Sequence, residues 1–265
     1  MKKISITAFL ILFLFNSCTK NAVTGKRSLT LLPESEMMAM SLTEYGKFLS
    51  EHPPLPTSDE RVQLVKRAGI RIQKAVEKFY ADKGLSNQLQ GFNWEFNVVD
   101  SKEVNAWCMP GGKVVVYTGL LPVTQTEEAL AIVMGHEIAH AVARHGNQRM
   151  SEGLLVQFGG AALSVALSQK PALTQQLFQQ AYGVTTGLGT LKYSRSHESE
   201  ADKMGLIFAA MAGYNPEVAI SFWQRMSASG GQKPPELLST HPSDETRIKD
   251  LKAFMPEAKK YYKPQ

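Results

Sequence analysis

Residues 136–140 read His136-Glu137-Ile138-Ala139-His140. On a helix, two residues four apart lie about 40° from each other around the axis, so both imidazoles can meet one metal ion. Glu137 sits beside them, placed to act as general base toward a water activated at a zinc ion. The neighbours Val133, Met134, Ile138 and Ala139 are apolar, which makes the stripe a buried one, and buried polar rings need partners. A catalytic zinc takes a third protein ligand and keeps a fourth position open. Downstream, Glu198-Ser199-Glu200-Ala201-Asp202 supplies candidates. Glu198 and Asp202, four apart, share one helical face, so one can ligate the metal while the other orients a ligand histidine through its ring N–H. Glu200 points to the opposite side and reads as a solvated charge, and His197 as an exposed histidine.

These residues need a scaffold. The chain has 265 residues, 43% hydrophobic and 20% charged, enough for one domain with a sizeable core. Two cysteines exclude a disulfide framework and a four-cysteine zinc site. A net charge of +5 without basic clusters argues against a nucleic-acid partner. Helical spacing marks residues 34–49, and a second helix carrying Val62, Val65, Ile72, Val76 and Phe79, capped by Thr57 or Ser58. Trp94, Phe96 and Val98 alternate with polar residues as a strand. A second strand runs over residues 113–118 after the Pro110-Gly111-Gly112 turn, in a hairpin-like arrangement. One long apolar helix runs on from Gln125, and further helices fit 194–212, 216–227 and 243–254. The stretch 154–191 fits two short helices or a mobile cover. The fold class is therefore α+β, predominantly helical, with a small sheet.

The N-terminus has a different character. Lys2 and Lys3 precede an apolar run over residues 4–15, then Asn16-Ser17-Cys18. This is a signal-peptide pattern over residues 1–17, and its apolar run is too short for a stable membrane span. Cys18 at its end suits lipidation, as in a bacterial lipoprotein; an ordinary secreted protein with an incidental cysteine is the alternative. Removing the leader would lower the net charge from +5 to +3. Residues 18–33 read as a polar tether and residues 34–265 as one domain.

The motif His136-Glu137-x-x-His140 with Glu198-x-x-x-Asp202 resembles the gluzincin arrangement of the family containing HtpX and the CAAX prenyl proteases, in its lipoprotein and periplasmic bacterial branch. Asn105–Lys113, Glu127–Ala131 and His241-Pro242-Ser243-Asp244-Glu245-Thr246-Arg247 fit the same family in the same order. The resemblance implies a zincin-like fold and one zinc ion on His136, His140 and Glu198, with Glu137 as base and Asp202 orienting a ligand histidine. His241 would lie near the metal, stabilising the oxyanion or filling the fourth position as an off-switch; read from residues alone, it could equally cap a helix. Arg247 pairs with an acid near the site or is solvated. Substrate would pair as an extended strand near Asn105 and Ala106 and along Val114, Val115 and Val116. The implied activity is peptide-bond hydrolysis on unfolded or misassembled envelope proteins; Thr19 after Cys18 carries no inner-membrane aspartate signal, so the lipid anchor is expected at the outer membrane. A chaperone-like assembly factor with latent protease activity is the competing reading. Membrane-embedded processing is excluded, because no stretch after Cys18 has the roughly 18 uninterrupted apolar residues a span requires.

Overall fold

The computed structural model describes residues 18–162, 165, 171–182, 194–228, 237, 241 and 245–264. Strands β1 (Cys18–Lys20) and β2 (Arg27–Leu29) pair antiparallel. Helices α1 (Glu34–Glu51) and α2 (Glu60–Asp82) follow, separated by the prolines at 53, 54 and 56, which forbid helix. The cap of α2 is Asp59, not Thr57 or Ser58: its carboxylate accepts the Arg61 N–H at 2.8 Å. Next come β3 (Glu95–Val99), β4 (Ala106–Met109) and β5 (Lys113–Tyr117). The longer helices that follow are α3 (Glu127–Val142), α4 (His145–Phe158), α5 (Pro171–Tyr182), α6 (Arg195–Met211), α7 (Val218–Ala228) and α8 (Glu245–Lys259). This is the mostly helical α+β architecture expected from the composition and periodicity.

The sheet order is β3-β5-β4, with β5 parallel to β3 and antiparallel to β4. Residues 94–118 are therefore not one hairpin. The tight connection joins β4 to β5 through Gly111 and Gly112, both at positive φ (84° and 82°), and β3 returns on the far side. This corrects the expected substrate edge. Val114, Val115 and Val116 lie in the central strand, fully buried and paired on both sides. Ala106 instead begins β4, at the outer edge of the sheet, with Asn105 just before it. The Tyr117 N–H donates to the Asn105 carbonyl, so by antiparallel alternation the backbone groups of Ala106 and Cys108 face away from β5.

Every residue of α3 from Ala129 to Val142 is buried, as expected for a helix apolar all round except for its histidines and glutamate. Thr126 starts it by accepting the Ala129 N–H, and Ser194 starts α6 by accepting the His197 N–H. The two helices cross at paired glycines. A Cβ on Gly135 would stand 3.0 Å from the Gly205 carbonyl oxygen, and one on Gly205 would stand 2.9 Å from the His136 nitrogen. Backbone thus meets backbone, and the face of α3 carrying His136 and His140 approaches α6 closely.

Residues 18–33, read from composition as a tether, are built into the body. Leu31 and Leu32 are buried in a cluster with Met37, Met150, Leu154 and Phe178, and the turn between β1 and β2 grips α6, as described below. The polar residues masked two leucines that had a core to enter. Residues 1–17 and part of the stretch proposed as a cover, 163–164, 166–170 and 183–191, lie outside the described residues; α5 itself packs on α4 through Leu177 and Phe178. No helix among the described residues is long and apolar enough to cross a membrane.

Candidate metal centre

α3 presents His136 and His140 on one face, one turn apart, and α6 brings Glu198 against them. His136 Nε2 lies 3.1 Å from His140 Nε2 and 3.5 Å from Glu198 Oε2, while His140 Nε2 is 3.3 Å from Glu198 Oε1. His241, just ahead of α8, completes the group: its Nδ1 is 2.9 Å from Glu198 Oε1 and 3.2 Å from His136 Nε2. One donor atom from each of the four lies within 4.8 Å of the others, and all four residues are buried. Donors at about 2.0–2.1 Å from a tetrahedral zinc stand about 3.4 Å apart, which matches these separations. Ring nitrogens facing one another at 3.1 and 3.2 Å also cannot satisfy each other throughout, since each neutral imidazole has one N–H. Glu198 Oε2 has no hydrogen-bond partner although buried. The donor set fits zinc.

Electrostatics favour a cation at this point. Burial pushes Glu198 upward, but His241, His136 and His140 outweigh it and hold its carboxyl well below the usual range. For His136, burial acts downward, yet hydrogen bonds and charge from Asp202 and Glu198 raise it to about 9. Burial drives His140 well below its ordinary value, so its ring is a neutral lone-pair donor. Glu137 is raised, first by burial. Its Oε1 is buried without a hydrogen-bond partner, and His241 Nε2 stands 3.5 Å away. Burial, and then the charge of Glu137, raises the thiol of Cys108 in β4.

Each histidine of the pair is held from behind. Asp202 Oδ1 lies 3.0 Å from His136 Nδ1. Arg247 donates to both Asp202 oxygens at 2.7 and 2.8 Å and stacks over the Trp223 ring at 3.4 Å, so of the two readings of Arg247 it is the pairing one that holds. Behind His140 stands a residue the sequence reading left without a role. His145 Nδ1 is 2.9 Å from His140 Nδ1. A single left-handed residue, Arg144 (φ 59°, ψ 32°), ends α3 and starts α4 so that His145 doubles back on the motif. An arginine gives no notice of that conformation; a glycine there would have.

Two expectations are corrected here. Glu200 is not solvated: it is buried, its Oε1 accepts from Thr24 Oγ1 at 2.6 Å, and its Oε2 lies 3.3 Å from Lys26 Nζ and 3.5 Å from His145 Nε2. His197 is not exposed: it is buried, stacked on His145 with ring centroids 4.6 Å apart, and its Nε2 lies 3.0 Å from Gln148 Oε1. Both face the part of α6 covered by the N-terminal hairpin and α4, elements that helical periodicity alone leaves unplaced.

A model described as peptidase family M48 matches residues 66–255, most of the chain. The chain belongs to peptidase family M48. Peptidases of this family are zinc-dependent, in keeping with the four-residue cluster. Among its M48 relatives, the mitochondrial metalloendopeptidase OMA1 of Arabidopsis thaliana is 38% identical over 68% of this chain and 35% of its own length. The human metalloendopeptidase OMA1, mitochondrial, is 32% identical over 94% of this chain and 48% of its own. The beta-barrel assembly-enhancing protease of Escherichia coli is 30% identical over 60% of this chain and 34% of its own. The chain thus spans less than half the length of each of these relatives. Identity and coverage are higher for these mitochondrial M48 members than for the Escherichia coli protease, so the family placement stands while the lipoprotein branch is not shown.

Proposed function

We propose that this chain is a zinc-dependent metalloendopeptidase. The observation that carries the reading is the buried Glu137 oxygen without a hydrogen-bond partner, set beside a donor group of zinc dimensions. A structural zinc site has no use for such a carboxylate. His136, His140 and Glu198 would hold the metal, with Asp202 fixing the His136 ring. Zinc, when bound, supplies Lewis acidity that eases water deprotonation and polarises the scissile carbonyl. Glu137 takes the proton of the attacking water and delivers it to the leaving amine. Its raised pKa, a consequence of burial, suits a group that must both accept and return a proton.

Substrate would lie extended along the outer edge of β4, pairing with the backbone at Ala106 and Cys108. Such pairing reads main chain more than side chain and requires an unfolded segment. That supports misfolded or misassembled proteins as substrates. The pattern at Lys2, Lys3 and residues 4–18 supports a cell-envelope setting with Cys18 lipidated and the chain held on a membrane, by preference the outer one. His241 serves as a fourth donor, filling the position a substrate needs; this is the off-switch alternative, favoured by its 2.9 Å approach to Glu198.

The test pairs zinc content with casein degradation. Glu137→Gln should keep one zinc per chain and lose about a hundredfold or more in rate, His136→Ala should lose both, and a chelator should silence the wild type. Undiminished proteolysis in Glu137→Gln overturns the mechanism. His241→Ala should raise turnover; a fall would assign it to oxyanion stabilisation instead.

A further inference from the structure

His140 presents Nε2 to Glu198 and His136, which leaves Nδ1 as the atom behind the ligand. That Nδ1 faces His145 Nδ1 at 2.9 Å, and one proton must lie between them. A lone pair on His140 Nε2 requires the proton on its Nδ1, so His145 Nδ1 accepts. The N–H of His145 is then on Nε2, toward Glu200 Oε2 at 3.5 Å. Nothing in α6 alone would hold Glu200 there. Its partners come from the turn between β1 and β2: Thr24 Oγ1 donates at 2.6 Å, and Lys26 Nζ bridges Glu200 at 3.3 Å and Ser196 Oγ at 2.8 Å. The turn is itself fixed, because Asn21 Oδ1 accepts the N–H groups of Val23 and Thr24, both at 2.9 Å. The stacked ring of His197 limits the tilt of His145.

We propose that the N-terminal hairpin is a strap that positions the metal ligand His140 through Glu200 and His145, so that loosening the hairpin loosens the metal. Thr24, Lys26, Glu200 and His145 are positioning residues; His145 touches His140 from behind, and none of the four offers a donor atom to the ligand cluster. The proposal rests on the zinc reading above, and partners that orient a ligand histidine typically govern metal affinity by about 10- to 100-fold.

The experiment measures zinc affinity of the full chain by competition with a chromophoric chelator, and the visible ligand-field spectrum of cobalt-loaded protein. Glu200→Gln should weaken zinc binding about tenfold and shift the cobalt band; Thr24→Val, in the hairpin, should do the same by a smaller factor. Asp59→Ala removes the cap of α2 outside this network and serves as the reference for a purely structural loss, with affinity and band unmoved. Should Glu200→Gln fail to fold, Thr24→Val decides by the same two readouts. Affinities within twofold of wild type and an unshifted band overturn the strap while leaving the metallopeptidase reading intact. A wild type that takes up no zinc overturns both.

Discussion

The two histidines of the motif are supported in unlike ways. Behind His136 the support is a charged pair sealed in the interior: Asp202 and Arg247 are both buried, joined by two hydrogen bonds and laid over Trp223. Behind His140 the support is a relay of neutral ring and carboxylate that ends on a hairpin whose Lys26 side chain is 41% exposed. The first can move only if the core moves. The second can be released at the surface. Equal demands on ring orientation have thus been met once by burial and once by a contact between chain segments 176 residues apart.

The contrast can be broken by substitution. Asp202→Ala should be the severe change, because Arg247 is left buried without its main partner; a loss of about 3–5 kcal/mol is expected in equilibrium denaturation. Glu200→Gln should lower stability by only about 1–2 kcal/mol, since it keeps shape and some hydrogen bonding, while its effect on zinc stays large. Equal stability losses from the two would erase the distinction between sealed and releasable support. The smallest effect lies away from both. Asp59 is lowered from an ordinary 3.8 to about 2, chiefly by its side-chain hydrogen bond with Arg61. A carboxyl lowered in the folded state stabilises above its unfolded value and loses that contribution as pH falls. The gap in stability between wild type and Asp59→Ala should therefore be constant above about pH 4 and close toward pH 2. A gap that persists at pH 2 would show that Asp59 acts by shape and not by charge.

Much of this site was legible in the sequence because its spacing is local. Four residues on a helix fix the relation of His136 to His140, and of Glu198 to Asp202, whatever else the chain does. Helices of the body were legible for the same reason. What was not legible depends on partners remote in sequence. Three valines announce burial, but not whether their strand has one neighbour or two, so Val114–Val116 were set at an edge when they lie in the middle. Glu200 points away from Glu198 as helical geometry requires; that the far side is also covered depends on a segment whose composition suggested a tether. His145 follows the motif by five residues, yet reaches it only through a left-handed arginine.

The glycine contact between α3 and α6 has a further consequence. Gly135 adjoins His136, and Gly205 lies on the helix that carries Glu198. The distance between those helices is set by the smallest spacer a polypeptide possesses, a hydrogen atom on each side. The spacing between the His136–His140 face and Glu198 is therefore gauged by two residues outside the donor group. One methyl group at Gly205 would press on the backbone of His136 and draw Glu198 away from the two histidines.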